Sequence, residues 1–207
     1  MKVLELFCGT KSFSNVALED GHMVYTIDSN SKFKPDMNID ILYLKKNTLP
    51  KYFRKPDVIW ASPPCETFSM CGHNYYMGYP TNAKCYIGLA LVYKCIELIR
   101  ELKPKYWFIE NPRAGLRSVW FMKPLPRYTV SYCQYGMDRM KPTDIWTNLE
   151  GWTPKCCKNG DSCHEPAPRG SKTGTQGEKN SEVRGVIPRE LCVELINKLN
   201  LYGLKEK

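Results

Sequence analysis

Asp57-Val58-Ile59-Trp60-Ala61-Ser62-Pro63-Pro64-Cys65-Glu66-Thr67-Phe68-Ser69 runs from an apolar strand pattern into a double-proline turn that ends on a single cysteine. Two consecutive prolines fix φ twice and supply no backbone donor, so the strand must stop and the loop that follows is stiff. Cys65 is therefore expected at the carboxyl edge of a sheet, displayed as a nucleophile is displayed.

Outward from that stretch, strand and helix patterns alternate. Residues 2 to 7 are an apolar run ending at Cys8-Gly9-Thr10, and Ser12 to Glu19 has helical spacing with Phe13, Val16 and Ala17 on one face. Met23 to Ile27 reads as a second strand closed by Asp28, Ile39-Asp40-Ile41 as a third acidic strand end, and Val58 to Ala61 as the fourth strand. From Ile87 to Leu102 the stripe Leu91, Cys95, Leu98, Ile99 and Leu102 predicts a helix, which Pro104 stops. Tyr106 to Ile109 makes a fifth strand, ending at Glu110-Asn111-Pro112. This alternation predicts an α/β fold with a mostly parallel sheet and helices on both faces.

In open sheets of this kind ligands sit beyond the carboxyl ends of the strands, near the topological switch point. Gly9, Asp28, Asp40, Cys65 and Glu110 all fall at predicted strand ends, so all five can converge on one crevice. Singly, each has a plainer reading: Gly9 permits a turn, Asp28 caps a helix, and Asp40 caps or solvates a loop. An acid at the end of the second strand can also take both hydroxyls of a ribose.

The chain of 207 residues is long enough for one domain with a buried core and leaves no room for a separate large recognition domain. Lys and Arg number 30 against 21 Asp and Glu, and the net charge of +9 suits either a polyanionic partner or a solvated basic face. No run of 18 apolar residues is present and no signal peptide is read, so neither a membrane span nor export is expected. The ten cysteines are then expected to be reduced, with Cys85 and Cys95 as small core residues.

In order along most of its length, the sequence resembles the DNA cytosine-C5 methyltransferases. Leu6-Phe7-Cys8-Gly9-Thr10 followed by Phe13-Ser14 is similar to the first cofactor motif, Asp28 to the ribose-binding acid, and Asp40 to the acid that holds the adenine amine. Ser62-Pro63-Pro64-Cys65 resembles the catalytic Pro-Cys motif, the most specific element, and Glu110-Asn111 resembles the Glu-Asn pair. Tyr135-Gly136 with Arg139 and Lys141 resembles the basic motif behind the target base, and Gly185-Val186-Ile187-Pro188 the closing motif. The resemblance implies a Rossmann-type S-adenosylmethionine-dependent methyltransferase fold of the compact, often phage-encoded branch.

It also implies site roles. Cys65, Glu110 and Arg139 are the expected catalytic residues. Phe7, Cys8, Gly9, Thr10, Asp28, Asp40, Ser62 and Pro63 are expected around the cofactor, and Ser69, Asn111, Lys141 and Arg169 around the substrate. That substrate is DNA, either duplex with a flipped cytosine or single-stranded, in the cytoplasm of a bacterial or phage-infected host cell. A binding protein of the same fold without strong catalysis, and a methyltransferase acting on RNA or another pyrimidine, are the alternatives. Departures from the pattern are Lys11 in place of a second glycine, Glu66 after Pro-Cys, Pro112 after Glu-Asn, and a closing motif without its asparagine. Lys11 is expected to put a long cation near the cofactor's amino-acid end.

Three parts are expected: a catalytic core over 1–150, a Cys/Gly/Lys-rich region over 151–182, and a closing helical segment over 183–207. Cys156, Cys157, Cys163 and His164 supply three thiols and an imidazole within nine positions, enough for a tetrahedral zinc site. Adjacent cysteines do not readily share one ion, so a further ligand from Cys133, Cys192 or the Cys71/His73 loop is in play, against reduced cysteines in an irregular loop. Pro168 to Gly177 is basic and rich in small donors, suited to phosphate contact or to disorder.

Overall fold

Strands that are apolar on both faces belong in the middle of a sheet with helices on either side, and the chain builds such a sheet. The computed structural model describes residues 1–68, 75–76, 79–80, 83–165 and 180–204. The first elements are β1 (Lys2–Leu6), α1 (Ser12–Glu19), β2 (Met23–Asp28), β3 (Met37–Asn38) and β4 (Val58–Ala61). β5 (Tyr75–Tyr76) and β6 (Tyr79–Pro80) pair antiparallel as a small separate ribbon. There follow α2 (Ala83–Leu102), β7 (Tyr106–Pro112), β8 (Arg127–Ser131), β9 (Pro142–Thr147), α3 (Ser181–Gly185) and α4 (Arg189–Leu204).

The seven-stranded sheet has the order β3-β2-β1-β4-β7-β9-β8. Pairings from β3 through to β7 are parallel, and β9 runs antiparallel to both β7 and β8. Successive strand residues point to opposite faces, which divides the core in two. Val3, Val58, Trp60 and Phe108 meet Phe13, Val16 and Ala17 of α1 and Leu191, Leu195, Ile196 and Leu199 of α4. On the opposite face Leu4, Leu6, Ile59, Ala61 and Ile109 meet Val92, Cys95, Ile96, Leu98 and Leu102 of α2. Phe13 stacks on Trp60 with centroids 4.5 Å apart, sealing α1 to the sheet.

β3 is shorter than the third strand read around Ile39-Asp40-Ile41, and stops at Asn38. Asp40 instead caps a 3-10 turn, its carboxylate accepting from Leu42 N at 2.9 Å. The antiparallel pair β8–β9 was not expected. Its fully buried Asp144 receives two bonds from Arg117, at 2.9 and 2.6 Å, and one from Thr129 at 2.8 Å, so the charge is matched. Among the described residues no helix is long and apolar enough to cross a membrane.

Candidate active site

Strand register brings the site together. Leu6 pairs with Ile27 and with Ala61, and Ala61 pairs with Ile109, so these four form one row across the parallel sheet. The next residue of each strand toward the carboxyl edge is Phe7, Asp28, Ser62 and Glu110, and all four line one cavity of about 320 Å³. Cys8, Gly9 and Thr10 beyond β1 and Pro63, Pro64 and Cys65 beyond β4 extend its walls. β1 and β4 are neighbours whose connections leave in opposite directions, so the cavity lies at the switch point. A larger hollow of about 700 Å³ runs along the outer side of α4, away from the strand ends.

The β1–α1 turn is wound left-handed at three places, Phe7 (φ 57°), Gly9 (φ 44°) and Lys11 (φ 57°). Only glycine adopts this region freely, so Phe7 and Lys11 carry backbone strain there. Lys11 Nζ donates to Lys34 O at 2.6 Å, across to the loop after β2, and Lys11 is not among the residues lining the cavity. The cation expected at the cofactor's amino-acid end is thus turned aside. Asp28 holds the turn from below, its two oxygens accepting from Gly9 N at 3.0 Å and Asn30 N at 2.8 Å. Asp40, expected at the adenine amine, caps its own turn and is not among the residues lining the cavity.

Sequence reading did not single out Glu5. Its carboxylate is buried at the cavity floor and accepts from Ser14 N at 3.0 Å in the first turn of α1, where a helix terminus favours negative charge. Burial nevertheless dominates and raises its pKa to about 7.

Cys65 stands at the open mouth of the cavity on a loop held from two sides. Asn111 Nδ2 donates to Pro63 O at 2.9 Å. Behind the loop, Gly88 of α2 lets Thr67 come so close that a Cβ there would lie 2.4 Å from Thr67 Oγ1 and Cγ2 and 2.6 Å from its Cβ. Glu110 lies in the cavity wall, 6% exposed, and accepts from Tyr132 Oη at 2.9 Å. Ser62 also hydrogen-bonds Glu110, and its Oγ accepts from Trp60 Nε1 at 2.9 Å.

Of the cations lining the cavity, the one that acts on Cys65 and Glu110 is Lys141. Its backbone is twisted to φ 29°, its side chain is 6% exposed, and its Nζ donates to Arg184 O at 2.5 Å while sitting 4.4 Å from the Tyr132 ring centroid. Arg139 comes within 4.0 Å of the Asp138 carboxylate and is not among the cavity-lining residues, whereas Lys141, expected with it at the target base, is. Desolvation raises the Cys65 thiol above its ordinary value, Glu110 raises it further, and Lys141 opposes both. Burial likewise raises Glu110, against Lys141, Tyr132 and Ser62. Burial lowers Lys141, which Glu110 and Cys65 counter. The three form one coupled set.

Also missed were Glu182 and Arg184 of α3, which with Gly185 and Ile187 of the expected closing motif wall the cavity opposite the strand ends. Lys32 pairs with Glu182, joining the loop after β2 to this wall. Ser69 and Arg169, expected at the substrate, lie outside the described residues, as do Cys71, His73 and the segment 168–177. Of the expected metal ligands, Cys157, Cys163 and His164 come together with Cys133. Cys156 does not join them, because its Sγ donates to Thr129 O at 2.8 Å.

Residues 1–118 match the family model of C-5 cytosine-specific DNA methylases. The chain belongs to that family. Across 219 aligned residues this methylase is 32% identical to a protein named probable DNA (cytosine-5)-methyltransferase from Frog virus 3 (isolate Goorha), covering 95% of this chain and 99% of that one. The compact size expected for the methylase is therefore shared by a viral relative. Its fold is that of S. pombe Dnmt2 methyltransferase (TM-score 0.51, 15% identity, 74% of this chain and 52% of that one). An E. coli putative DNA modification methyltransferase encoded within a prophage is similar too (TM-score 0.52, 16% identity, 81% and 52%). The methylase spans about half the length of these two solved structures.

Proposed function

We propose that this methylase transfers a methyl group from S-adenosylmethionine to C5 of cytosine in DNA, through a covalent bond between Cys65 Sγ and C6 of the base. What carries the reading is the convergence of Cys65, Glu110 and Lys141 on the same cavity as Asp28 and Gly9. The donor set fits the cofactor: a buried carboxylate suits a ribose diol, the Phe7–Thr10 turn and Ser62–Pro63 complete a polar and apolar lining, and about 320 Å³ is within the range of small-molecule sites. Bound there, S-adenosylmethionine supplies an electrophilic methyl group.

The protein's own residues do the rest. Cys65 as thiolate adds to C6, and the electron pair displaced from the C5–C6 bond makes C5 nucleophilic. Glu110, whose hold on a proton burial strengthens, donates to the N3 edge as charge develops on the ring, and Lys141 stabilises the thiolate beforehand. After C5 takes the methyl group, loss of the C5 proton to solvent and elimination at C6 return Cys65. The target carbon is inaccessible in a stacked duplex, so the base has to be flipped out or offered single-stranded, and the net charge of +9 supports a polyanionic partner.

The test is incubation with methyl-labelled S-adenosylmethionine and a mixture of DNA and RNA, followed by nucleoside mass spectrometry. Label in 5-methyldeoxycytidine is the expected result. Label confined to ribonucleosides, or no label at all, overturns the DNA reading.

Two variants probe the geometry. Removing the Lys141 charge in Lys141→Met raises both Cys65 and Glu110. The useful Cys65 form is gained as pH rises and the useful Glu110 form is lost as pH rises, so the whole bell-shaped rate profile moves to higher pH. The rate near pH 7 then falls about 10- to 100-fold. An unshifted profile rejects Lys141 as the cation of the site. Gly88→Ala forces Thr67 and the Cys65 loop away from α2. It is expected to cost about 100-fold in rate, the scale of a 1 Å misplacement, with an unfolding temperature that changes far less in proportion.

A further inference from the structure

Cys133 follows β8, 24 positions before Cys157 in sequence, yet their Sγ atoms are 3.2 Å apart. Cys163 Sγ is 3.7 Å from Cys133 Sγ and 3.5 Å from His164 Nδ1, and Cys157 Sγ is 3.7 Å from the same nitrogen. All four ligand atoms lie within 4.8 Å of one another. A zinc ion at about 2.3 Å from sulfur and about 2.0 Å from nitrogen would set tetrahedral edges of about 3.8 and 3.5 Å, close to the separations of 3.2 to 3.7 Å given above. Three thiols and an imidazole are the ligand types that zinc selects.

We infer that Cys133, Cys157, Cys163 and His164 bind one zinc ion, which fastens the 151–165 segment to the turn after β8. Four protein ligands close the coordination sphere, so the ion is structural and takes no part in chemistry. The surroundings explain the need for it. Between 151 and 165 only Trp152 and His164 are buried, so the segment has almost no apolar core of its own, the situation in which a metal substitutes for one. Backbone contacts already hold the ligands in place: Ser131 N donates to Lys155 O at 3.0 Å, Cys157 N to Ser131 Oγ at 3.1 Å, Lys155 N to Tyr135 Oη at 3.0 Å, and Glu165 N to Asp138 O at 2.9 Å. Cys133 is next to Tyr132, whose hydroxyl holds Glu110, so the ion steadies the floor of the cavity from behind. The inference is independent of the chemistry proposed at Cys65.

The full chain, made in zinc-supplemented medium and purified without a metal-affinity tag, is assayed by elemental analysis. About one zinc per chain is expected. Cobalt reconstitution should give the visible bands of a tetrahedral ion together with thiolate-to-cobalt charge transfer. Cys157→Ala and the more exposed Cys163→Ala lose the metal, whereas Cys156→Ala keeps it. Chelation lowers the unfolding temperature of the wild-type chain by about 5 °C or more. A metal-free chain that takes up no tetrahedral cobalt overturns the inference. So does an intact mass showing a Cys133–Cys157 disulfide without metal, or a Cys156→Ala variant that loses zinc as Cys157→Ala does.

Discussion

Replacing Cys65 by alanine lowers methyl transfer by about 10⁴-fold or more, the scale on which loss of a nucleophile is felt. Cofactor binding survives, because the groups expected to hold S-adenosylmethionine come from the ends of β1 and β2 and from Ser62–Pro63. Cys65 is an exposed residue of a surface turn and not part of either core cluster, so the unfolding temperature should stay close to that of the unaltered chain. Two measurements separate the possibilities. Titration with S-adenosylmethionine reports the intact pocket, and a denaturing gel reports the covalent protein–DNA adduct, which is expected with Cys65 and absent without it. A Cys65→Ala protein that still methylates DNA would sink the covalent mechanism.

Glu110→Gln has the second largest effect and an opposite sign in stability. The amide cannot deliver a proton to the base edge, so the rate falls by about 10²- to 10⁴-fold. In the folded chain the Glu110 pKa is raised, mainly by burial. A group of that kind contributes stability below its unfolded value and loses it as pH rises through the folded one. Glutamine carries no charge to bury, so the variant should be more stable than the parent at alkaline pH, and the two should converge in acid. Thermal unfolding across pH together with methyl-transfer rates tests both halves. Equal stability at high pH would mean that Tyr132, Ser62 and Lys141 fully compensate the buried charge.

These two variants act on positions whose neighbourhoods differ in how far they can be read from sequence. α1 and β4 occupy the spans expected of them because continuous apolar runs, a helical stripe and a proline pair are local signals. β8 and β9 gave no such signal. Arg127-Tyr128-Thr129 and Pro142-Thr143-Asp144 look like loop composition, yet they pair with each other and β9 also pairs with β7, while Arg117 matches the buried charge of Asp144. Asp40 went to its own backbone because an aspartate two residues before a free amide has a near partner that a strand-end reading ignores. Lys141 lines the cavity with a positive φ, a backbone conformation that residue type alone does not announce. Cys133 is one of several candidates for a further ligand in the sequence, and it joins Cys157, Cys163 and His164 only because the fold lays the 151–165 segment against the turn after β8.

The closure of α4 on α1 sets an order of events during synthesis. Ile187 N donates to Ser12 Oγ at 3.2 Å, Arg189 pairs with Glu19, and Asn200 Nδ2 donates to Asp20 at 2.7 Å. Arg184, Gly185 and Ile187 are also cavity wall. A nascent chain therefore exposes an unfinished cavity and the sheet face that α4 packs on long before the segment that covers them has left the ribosome, an interval on the order of ten seconds. During that time the unfinished molecule is open to oxidants and to chaperones, and it acquires a complete cavity only when residues 184–199 dock.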